Sequence, residues 1–174
     1  MSRFLTGSDS ILIHPLLDAP TARDGGKPRY SACVQIPKAN KAVLEAAQAA
    51  LEETIDSAIA TKWGGKRPVS FRSPLRDGDT ERTADYFADT IFVNASTTRT
   101  PLLYHLDGTV AAPHDFTSGT VVKAELSFYP YTYMGRCGIA CGLERLWLID
   151  KPKPYPRDSA DKGSGDADFD AFFG

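Results

Sequence analysis

Val121-Val122-Lys123-Ala124-Glu125-Leu126-Ser127-Phe128-Tyr129-Pro130-Tyr131-Thr132-Tyr133 carries the longest alternation in the chain. Val122, Ala124, Leu126 and Phe128 fall on one face, and Lys123, Glu125, Ser127 and Tyr129 on the other. That period of two is what a strand with one buried side requires. Tyr131 and Tyr133 continue the second face, so three tyrosines stand in a row on the solvent side. They leave apolar area in water unless something covers them. Nucleobases do so well, at roughly 1–3 kcal/mol per stacked base whatever the base. A loop laid over the rings, with the hydroxyls left in water, is the other reading.

Working outward, a Gly-rich turn follows, then a last strand around Leu143 to Ile149. Upstream, Leu102 to Leu106 and Thr109 to Ala112 flank Asp107-Gly108, a pair suited to a tight primed hairpin turn. Asp89 to Ala95 reads as a strand with Ile91 and Val93 inward, and Val69 to Arg72 as a short one. Asp77-Gly78-Asp79 marks a turn. Lys27 to Lys38 alternates Tyr30, Ala32, Val34 and Ile36 with Arg29, Ser31, Cys33 and Gln35, and ends at Pro37. One convincing helix spans about Lys41 to Thr61. Asn40 caps it, Leu44, Ala47, Leu51, Ile55, Ala58 and Ile59 form its apolar stripe, and Gly64-Gly65 stop it.

One helix among six or seven strands with long loops predicts a mainly β chain, folded as a small barrel rather than a parallel α/β sheet. At 174 residues it is one domain. The expected division is an N-terminal extension over 1–26, ending in the loop signal Arg23-Asp24-Gly25-Gly26, then a domain over 27–150. A Pro/Gly/Asp-rich linker and tail then occupies 151–174.

The net charge of −2 hides a split. Residues 158–174 hold five aspartates against Lys162 alone, a net of −4, which leaves the preceding 157 residues at +2. Two acid-free basic stretches stand out in that body. Residues 62–76 contain Lys62, Lys66, Arg67, Arg72 and Arg76 interleaved with Trp63 and Phe71, and residues 27–41 contain Lys27, Arg29, Lys38 and Lys41. Basic side chains draw a phosphate backbone and release its counterions, while interleaved rings offer stacking. Trp63 serves equally well as a staple between helix and sheet.

The chain closes on Gly163-Ser164-Gly165-Asp166-Ala167-Asp168-Phe169-Asp170-Ala171-Phe172-Phe173-Gly174. Three phenylalanines without periodic apolar neighbours cannot build a core. Acids alternating with Phe on a Gly/Ser linker have the composition of a docking peptide for a basic, apolar cleft. Asp166, Asp168, Phe169, Asp170, Phe172 and Phe173 are its expected contact residues. The protein's own groove is one such cleft.

Enzyme readings find less support. His14, His105 and His114 are far apart, Cys137 and Cys141 lack a second pair for zinc, and Gly64-Gly65-Lys66 lacks the spacing of a phosphate loop. No metal or cofactor is expected. Asp77, Asp79, Glu81 and Asp85, beside Arg76 and Arg82, are the one carboxylate group from which a metal-dependent nuclease could be assembled, and loop charges explain them more cheaply. An adaptor acting through its tail is a third reading. An odd count of three cysteines suits a reducing compartment. With no apolar run of spanning length and no signal-peptide core, an intracellular protein off the membrane is expected. Self-association is left open.

Several segments together resemble phage-encoded single-stranded-DNA-binding proteins of the OB fold. They are Lys27-Pro28-Arg29-Tyr30 leading to Ile36-Pro37-Lys38 before the helix, and Asn94-Ala95-Ser96 followed by Arg99-Thr100-Pro101. Gly119 through Phe128-Tyr129-Pro130-Tyr131, Gly135 through Leu143, and the Asp/Phe tail complete the series. The resemblance implies a five-stranded barrel with the helix inserted between early strands, and binding of single-stranded DNA without sequence preference in the cytoplasm of the infected bacterium. It further implies a tail that contacts replication and recombination enzymes of phage or host. The expected DNA contacts are Lys27, Arg29, Tyr30, Lys38, Lys62, Trp63, Lys66, Arg67, Phe71, Arg72, Arg76, Lys123, Tyr129, Tyr131, Tyr133 and Arg136. Leu146-Trp147-Leu148-Ile149 departs from the family by being more apolar, so Trp147 reads either as core or as an extra stacking ring.

Overall fold

A computed structural model of the protein describes residues 2–22, 26–69 and 71–152. Its elements in chain order are β1 (Ser2–Leu5), β2 (Ser10–Thr21), β3 (Arg29–Pro37), α1 (Lys41–Thr61), β4 (Phe71–Arg72), β5 (Arg76–Asp77), α2 (Gly78–Glu81), β6 (Thr90–Thr97), β7 (Leu102–His105), β8 (Val121–Tyr133) and β9 (Arg136–Asp150). Short helical turns lie at Asp85–Phe87 and Pro113–Asp115.

Five strands close into a ring. The pairs β2–β3, β3–β6, β9–β8 and β8–β2 are antiparallel, and β6–β9 is parallel. Closure leaves these strands with no open edge where they pair. The remaining strands are appendages: β1 adds to β8, β4 and β7 run parallel to β9, and β5 adds to β6. The mainly β barrel with one long helix is the architecture that the alternation predicts, and α1 enters between β3 and β6.

The interior is filled from both directions. Val122, Ala124, Leu126 and Phe128 of β8 are all fully buried, as their alternation requires, and Ala32, Val34 and Ile36 of β3 join them. Helix α1 covers this cluster with Ala47, Ala50, Leu51, Ile55 and Ala58. Its first turn is tied by Asn40, whose side-chain oxygen accepts from the Val43 amide at 3.3 Å. Gly64 and Gly65 end it with φ of 65° and 81°, a backbone that only glycine adopts at little cost.

A second, smaller core occupies the opposite face of β2, β3 and β6. Ile13, Cys33, Phe87 and Phe92 form it, and the Arg82 guanidinium lies 4.7 Å from the Phe92 ring centre. Burial pushes the Cys33 thiol up to about 12. This cluster explains a departure in β6. Val93 points to the main core as expected, but Ile91 is only half-buried, while Phe92 on the other face is completely enclosed.

Three boundaries differ from the expected ones. Residues 1–26 are not an appended extension: β2 is a barrel stave, and Phe4, Leu12, Ile13 and Leu17 are core residues. The mixed polarity of β2 hides this, because a bulge at His14, with φ of 46°, breaks its alternation. The Asp107-Gly108 hairpin has a three-residue loop, Leu106 to Gly108, rather than a two-residue one. The His105 amide donates to the Thr109 carbonyl at 2.8 Å, and Gly108 takes a φ of 90°. The two-residue primed turn instead falls at Met134-Gly135, with φ of 50° and 79°, so the last strand begins at Arg136 rather than near Leu143.

Because β2 completes the ring, deletion of residues 1–26 is expected to abolish cooperative unfolding in a urea titration followed by circular dichroism. Leu12→Ala, in the intact chain, should lower unfolding free energy by about 2–5 kcal/mol, the cost of a large-to-small change in a closed core.

Candidate nucleic-acid interface

The outward face of β3, β6, β9 and β8 is built by the same alternation that fills the core. With Ala95 paired to Cys141, and Ser96 to Gly142, the outward residues of β6 lie beside the outward residues of β9. Ser31 of β3 pairs with Ser96, and Tyr129 and Tyr131 of β8 pair with Ala140 and Gly138. The floor is therefore made of small residues: Ser31, Ser96, Gly142, Ala140 and Gly138.

The glycines have a specific role. A Cβ on Gly138 would come within 2.5 Å of the Tyr131 ring carbon Cζ and its hydroxyl oxygen, so the Tyr131 ring lies across this bare stretch of β9. On Gly142 a Cβ would meet the Ser127 hydroxyl, with Tyr129 Cε1 at 3.6 Å. Tyr129 and Tyr131 are half-buried rings leaning over β9, and Tyr133 at the hairpin tip is 70% exposed, opposite Arg136.

Two adjoining concavities follow this floor and share Ser96. One, about 150 Å³, is lined by Arg72, Arg76, Asn94, Tyr131 and Ala140 among others. The other, of equal volume, includes Lys27, Arg29 and Ser31. Arg29 donates to the Ser96 hydroxyl at 3.3 Å across the join. The two basic stretches, separated in sequence by residues 42–61, thus meet on one surface through Lys27, Arg29, Arg72 and Arg76. Tyr30 stands nearby with its hydroxyl 3.4 Å from that of Thr100.

Asn94 is the residue that sequence reasoning missed. Both atoms of its amide, Nδ2 and Oδ1, are sealed from water and have no hydrogen-bond partner among the described residues. Leaving a buried polar group unpaired costs roughly 1–3 kcal/mol. The available signal was the outward phase of Asn94 and Ser96 in β6, and the alternation of small with larger residues from Gly138 to Gly142.

Other expected contacts have different surroundings. Trp63 is 8% exposed, belongs to the main core and packs on Phe71 with ring centres 6.2 Å apart, so it is the staple and not a surface ring. Arg67 lies over Phe71 at 5.4 Å and pairs with Glu52 at 3.8 Å, and Lys62 and Lys66 are exposed at the end of α1. Trp147 is not core. It is half-buried on the outer face, stacked on Tyr104 at 6.1 Å with the Lys123 ammonium 5.9 Å away.

Lys38 is held elsewhere. Its ammonium bridges Asp77 at 2.8 Å and Asp79 at 2.6 Å. Hydrogen bonds from Lys38 hold both carboxyls below their usual range, and the lysine is raised in return. Asp77 also caps α2, where a plain turn was expected, by accepting from the Asp79 amide at 3.0 Å. Glu81 pairs with Arg76. Three of the four carboxylates considered for a nuclease, Asp77, Asp79 and Glu81, are thus bound to cations, and no group of three His, Cys, Asp or Glu able to hold a metal occurs among the described residues. No helix among them is long and apolar enough to cross a membrane. The tail residues Asp166 to Phe173 lie outside the described residues.

The family model for the ssDNA-binding protein of Enterobacter phage Enc34 matches residues 12–171. The chain belongs to this family. The structure of the Enc34 single-stranded DNA-binding protein in complex with ssDNA superposes with a TM-score of 0.77 at 19% identity, covering 89% of this chain and 90% of that one. A second structure of the single-stranded DNA-binding protein from bacteriophage Enc34 gives 0.71 at 16% identity, covering 94% of this chain and 89% of that one. The single-stranded DNA binding protein encoded by bacteriophage T7 gives 0.61 at 12%, covering 93% of each chain. No curated protein sequence matches the chain. The five-stranded ring is thereby an OB-like barrel.

The Lys38 cluster has a measurable consequence. Its carboxylates have folded values below the ordinary ~3.9, so their contribution is present above about pH 4 and is lost as pH falls through the lowered values. The raised lysine carries that contribution past about pH 10. Lys38→Met should therefore melt below the wild type at pH 7, with the gap closing toward pH 2–3 in differential scanning calorimetry. DNA affinity should stay within about twofold of the wild type, since this ammonium is already engaged.

Proposed function

We propose that the protein coats single-stranded DNA without sequence preference during phage DNA replication and recombination, protecting the strand and bringing partner proteins to it. The observation that carries this reading is the Tyr131 ring laid across Gly138 beside Arg72, with Arg29 in the adjoining concavity. An aromatic platform next to guanidinium groups, on a floor without large side chains, offers stacking for bases and charge for the phosphates between them. Membership of the Enc34 family supports the same reading. Lys27 and Arg29 extend the basic wall, and Tyr129, Tyr133 and Arg136 extend the platform along the β8–β9 hairpin. The work is done in the cytoplasm of the infected bacterium. The tail, with Asp166, Asp168, Asp170, Phe169, Phe172 and Phe173, docks onto replication or recombination proteins.

Binding to a dT 30-mer should be tight at low salt, fall steeply as salt rises, and far exceed binding to blunt duplex. Tyr131→Ala should weaken it by about 1–3 kcal/mol, roughly 5- to 150-fold in Kd. Gly138→Ala should do nearly the same, because its Cβ would stand 2.5 Å from Tyr131 Cζ and the hydroxyl oxygen and push the far end of the ring off the strand. Fluorescence anisotropy reads both; equal affinity for single strand and duplex would sink the proposal.

Removal of residues 158–174 takes away a net charge of −4. Repulsion between that segment and phosphate predicts tighter binding by the shortened protein at low salt, with the difference screened out near 1 M salt. Identical titration curves at low salt would show that the tail does not oppose DNA.

A further inference from the structure

We infer that the tip of the β8–β9 hairpin, Tyr133 and Met134, is an apolar wedge that enters the base stack where a single strand in the groove passes into duplex, and so speeds the opening of that duplex. The inference rests on the single-stranded-DNA reading above and adds to it an activity at a defined pair of residues.

The turn itself carries the first observation. A primed two-residue turn needs positive φ at both central positions, and Asn-Gly or Asp-Gly meets that need at least cost. Here φ is 50° at Met134 and 79° at Gly135. Methionine has a Cβ that crowds the left-handed backbone, and it lacks the short polar group with which Asn or Asp bonds locally in return. Packing does not offset that cost, because Met134 is 84% exposed. Its apolar surface is left in water as well. The exposed apolar pair at the β7 hairpin, Leu106 and Val110, carries no such strain, since Gly108 supplies the positive φ there. A side chain that strains its turn and leaves its apolar surface in water is accounted for by a ligand that it touches.

The surroundings of the tip point to that ligand. Tyr129, Tyr131 and Tyr133 face the same side of β8, so the tip ends the row of rings that borders the groove, about 7 Å beyond Tyr131 along the strand. Tyr133, 70% exposed, stands opposite Arg136, which sets a cation beside the rings. β4 runs parallel to β9 with Phe71 opposite Cys137, so the fully exposed Val69 enters from the same end. A ring, a thioether and an aliphatic group beside a guanidinium suit a base step flanked by phosphates. Proteins that pry bases apart insert Phe, Leu, Ile, Met or Pro between them. A strand lying on Tyr131 and running toward the tip meets Tyr133 and Met134 where its pairing begins. The stacking given up at one opened step is similar in size to the stacking gained on one ring, so the exchange is nearly balanced. The wedge thus lowers the barrier to opening. It leaves the amount opened at equilibrium unchanged, because that depends on affinity for the released strands.

The test uses the full chain and a 15-base-pair duplex with a dT tail, labelled so that strand separation raises fluorescence. Wild-type protein is expected to open it well above the rate of spontaneous fraying. Met134→Asn is expected to slow opening about tenfold, while the final fraction opened and the Kd for a dT 30-mer stay within twofold. It should also melt above the wild type, because Asn suits the turn. A gain in stability joined to a loss of rate is a combination that damage to the fold does not produce. Met134→Leu, apolar and equally unsuited to the turn, is expected to keep the wild-type rate. The inference is overturned, with the single-stranded-DNA reading intact, if the wild type does not accelerate opening or if Met134→Asn opens the duplex at the wild-type rate. A rate that falls only in step with dT affinity overturns it too, as does melting of Met134→Asn below the wild type. A change in sedimentation of the free protein on Met134→Asn makes the tip a contact between copies, with the same result. Failure of the wild type to bind the dT 30-mer overturns the underlying reading instead.

Discussion

The antiparallel pairing of β8 with β9, held from Val121 opposite Asp150 to Tyr133 opposite Arg136, is the constraint on which the rest of the structure depends. It closes the barrel, because β8 also reaches β2 and β9 also reaches β6. It sets the phase of both strands at once. The same register that turns Leu126, Phe128, Ile139 and Cys141 inward turns Tyr129 and Tyr131 outward over Ala140 and Gly138. A slip of one residue would put the tyrosines in the core and the leucine and phenylalanine in water. Core and groove are two sides of one pairing. The primed turn at Met134-Gly135 pins that register from the distal end.

The hairpin was legible because its signal is local. Thirteen alternating residues need no knowledge of their neighbours to be read as a strand with one buried face, and the helix stripe and its Asn40 cap are local too. What lay beyond sequence reasoning depends on contacts between distant segments. β2 looked like an extension because the bulge at His14 breaks its pattern, and only pairing with β3 and β8 shows that it closes the ring. Phe92 and Cys33 sit on faces that alternation assigns to solvent, and they are covered by Phe87 from a segment with no strand pattern of its own. Trp63 read equally as a stacking ring or a staple, and its burial against Phe71 decides for the staple.

Charge was legible only in part, for a related reason. A stretch without acids in sequence is not a stretch without acids in space. Lys38 has no acid near it in the chain, yet it meets Asp77 and Asp79 across about forty residues, and Arg67 meets Glu52 from the helix before it. Arg3 and Arg145 both reach Glu125, at 3.5 and 3.7 Å. Cations paired in this way have much of their field cancelled nearby. On the proposed reading, the attraction for phosphate therefore depends on a smaller set than the count of Lys and Arg suggests, since Arg76 too is paired, with Glu81, and on where the strands deliver Lys27, Arg29 and Arg72.

That division assigns separate tasks to separate parts of the surface. Phosphate contacts are long-ranged and indifferent to sequence, so they hold a strand without fixing where each nucleotide sits. On the proposed reading, rings such as Tyr131 fix nucleotides one by one, since a base gains from stacking only where it meets a ring face. A floor of Gly138, Ala140 and Gly142 makes this possible, because side chains there would occupy the space that a ring needs. Indifference to sequence is thus not an absence of structure at the site. On that reading it requires surfaces chosen for what all nucleotides share: a phosphate charge and a flat face.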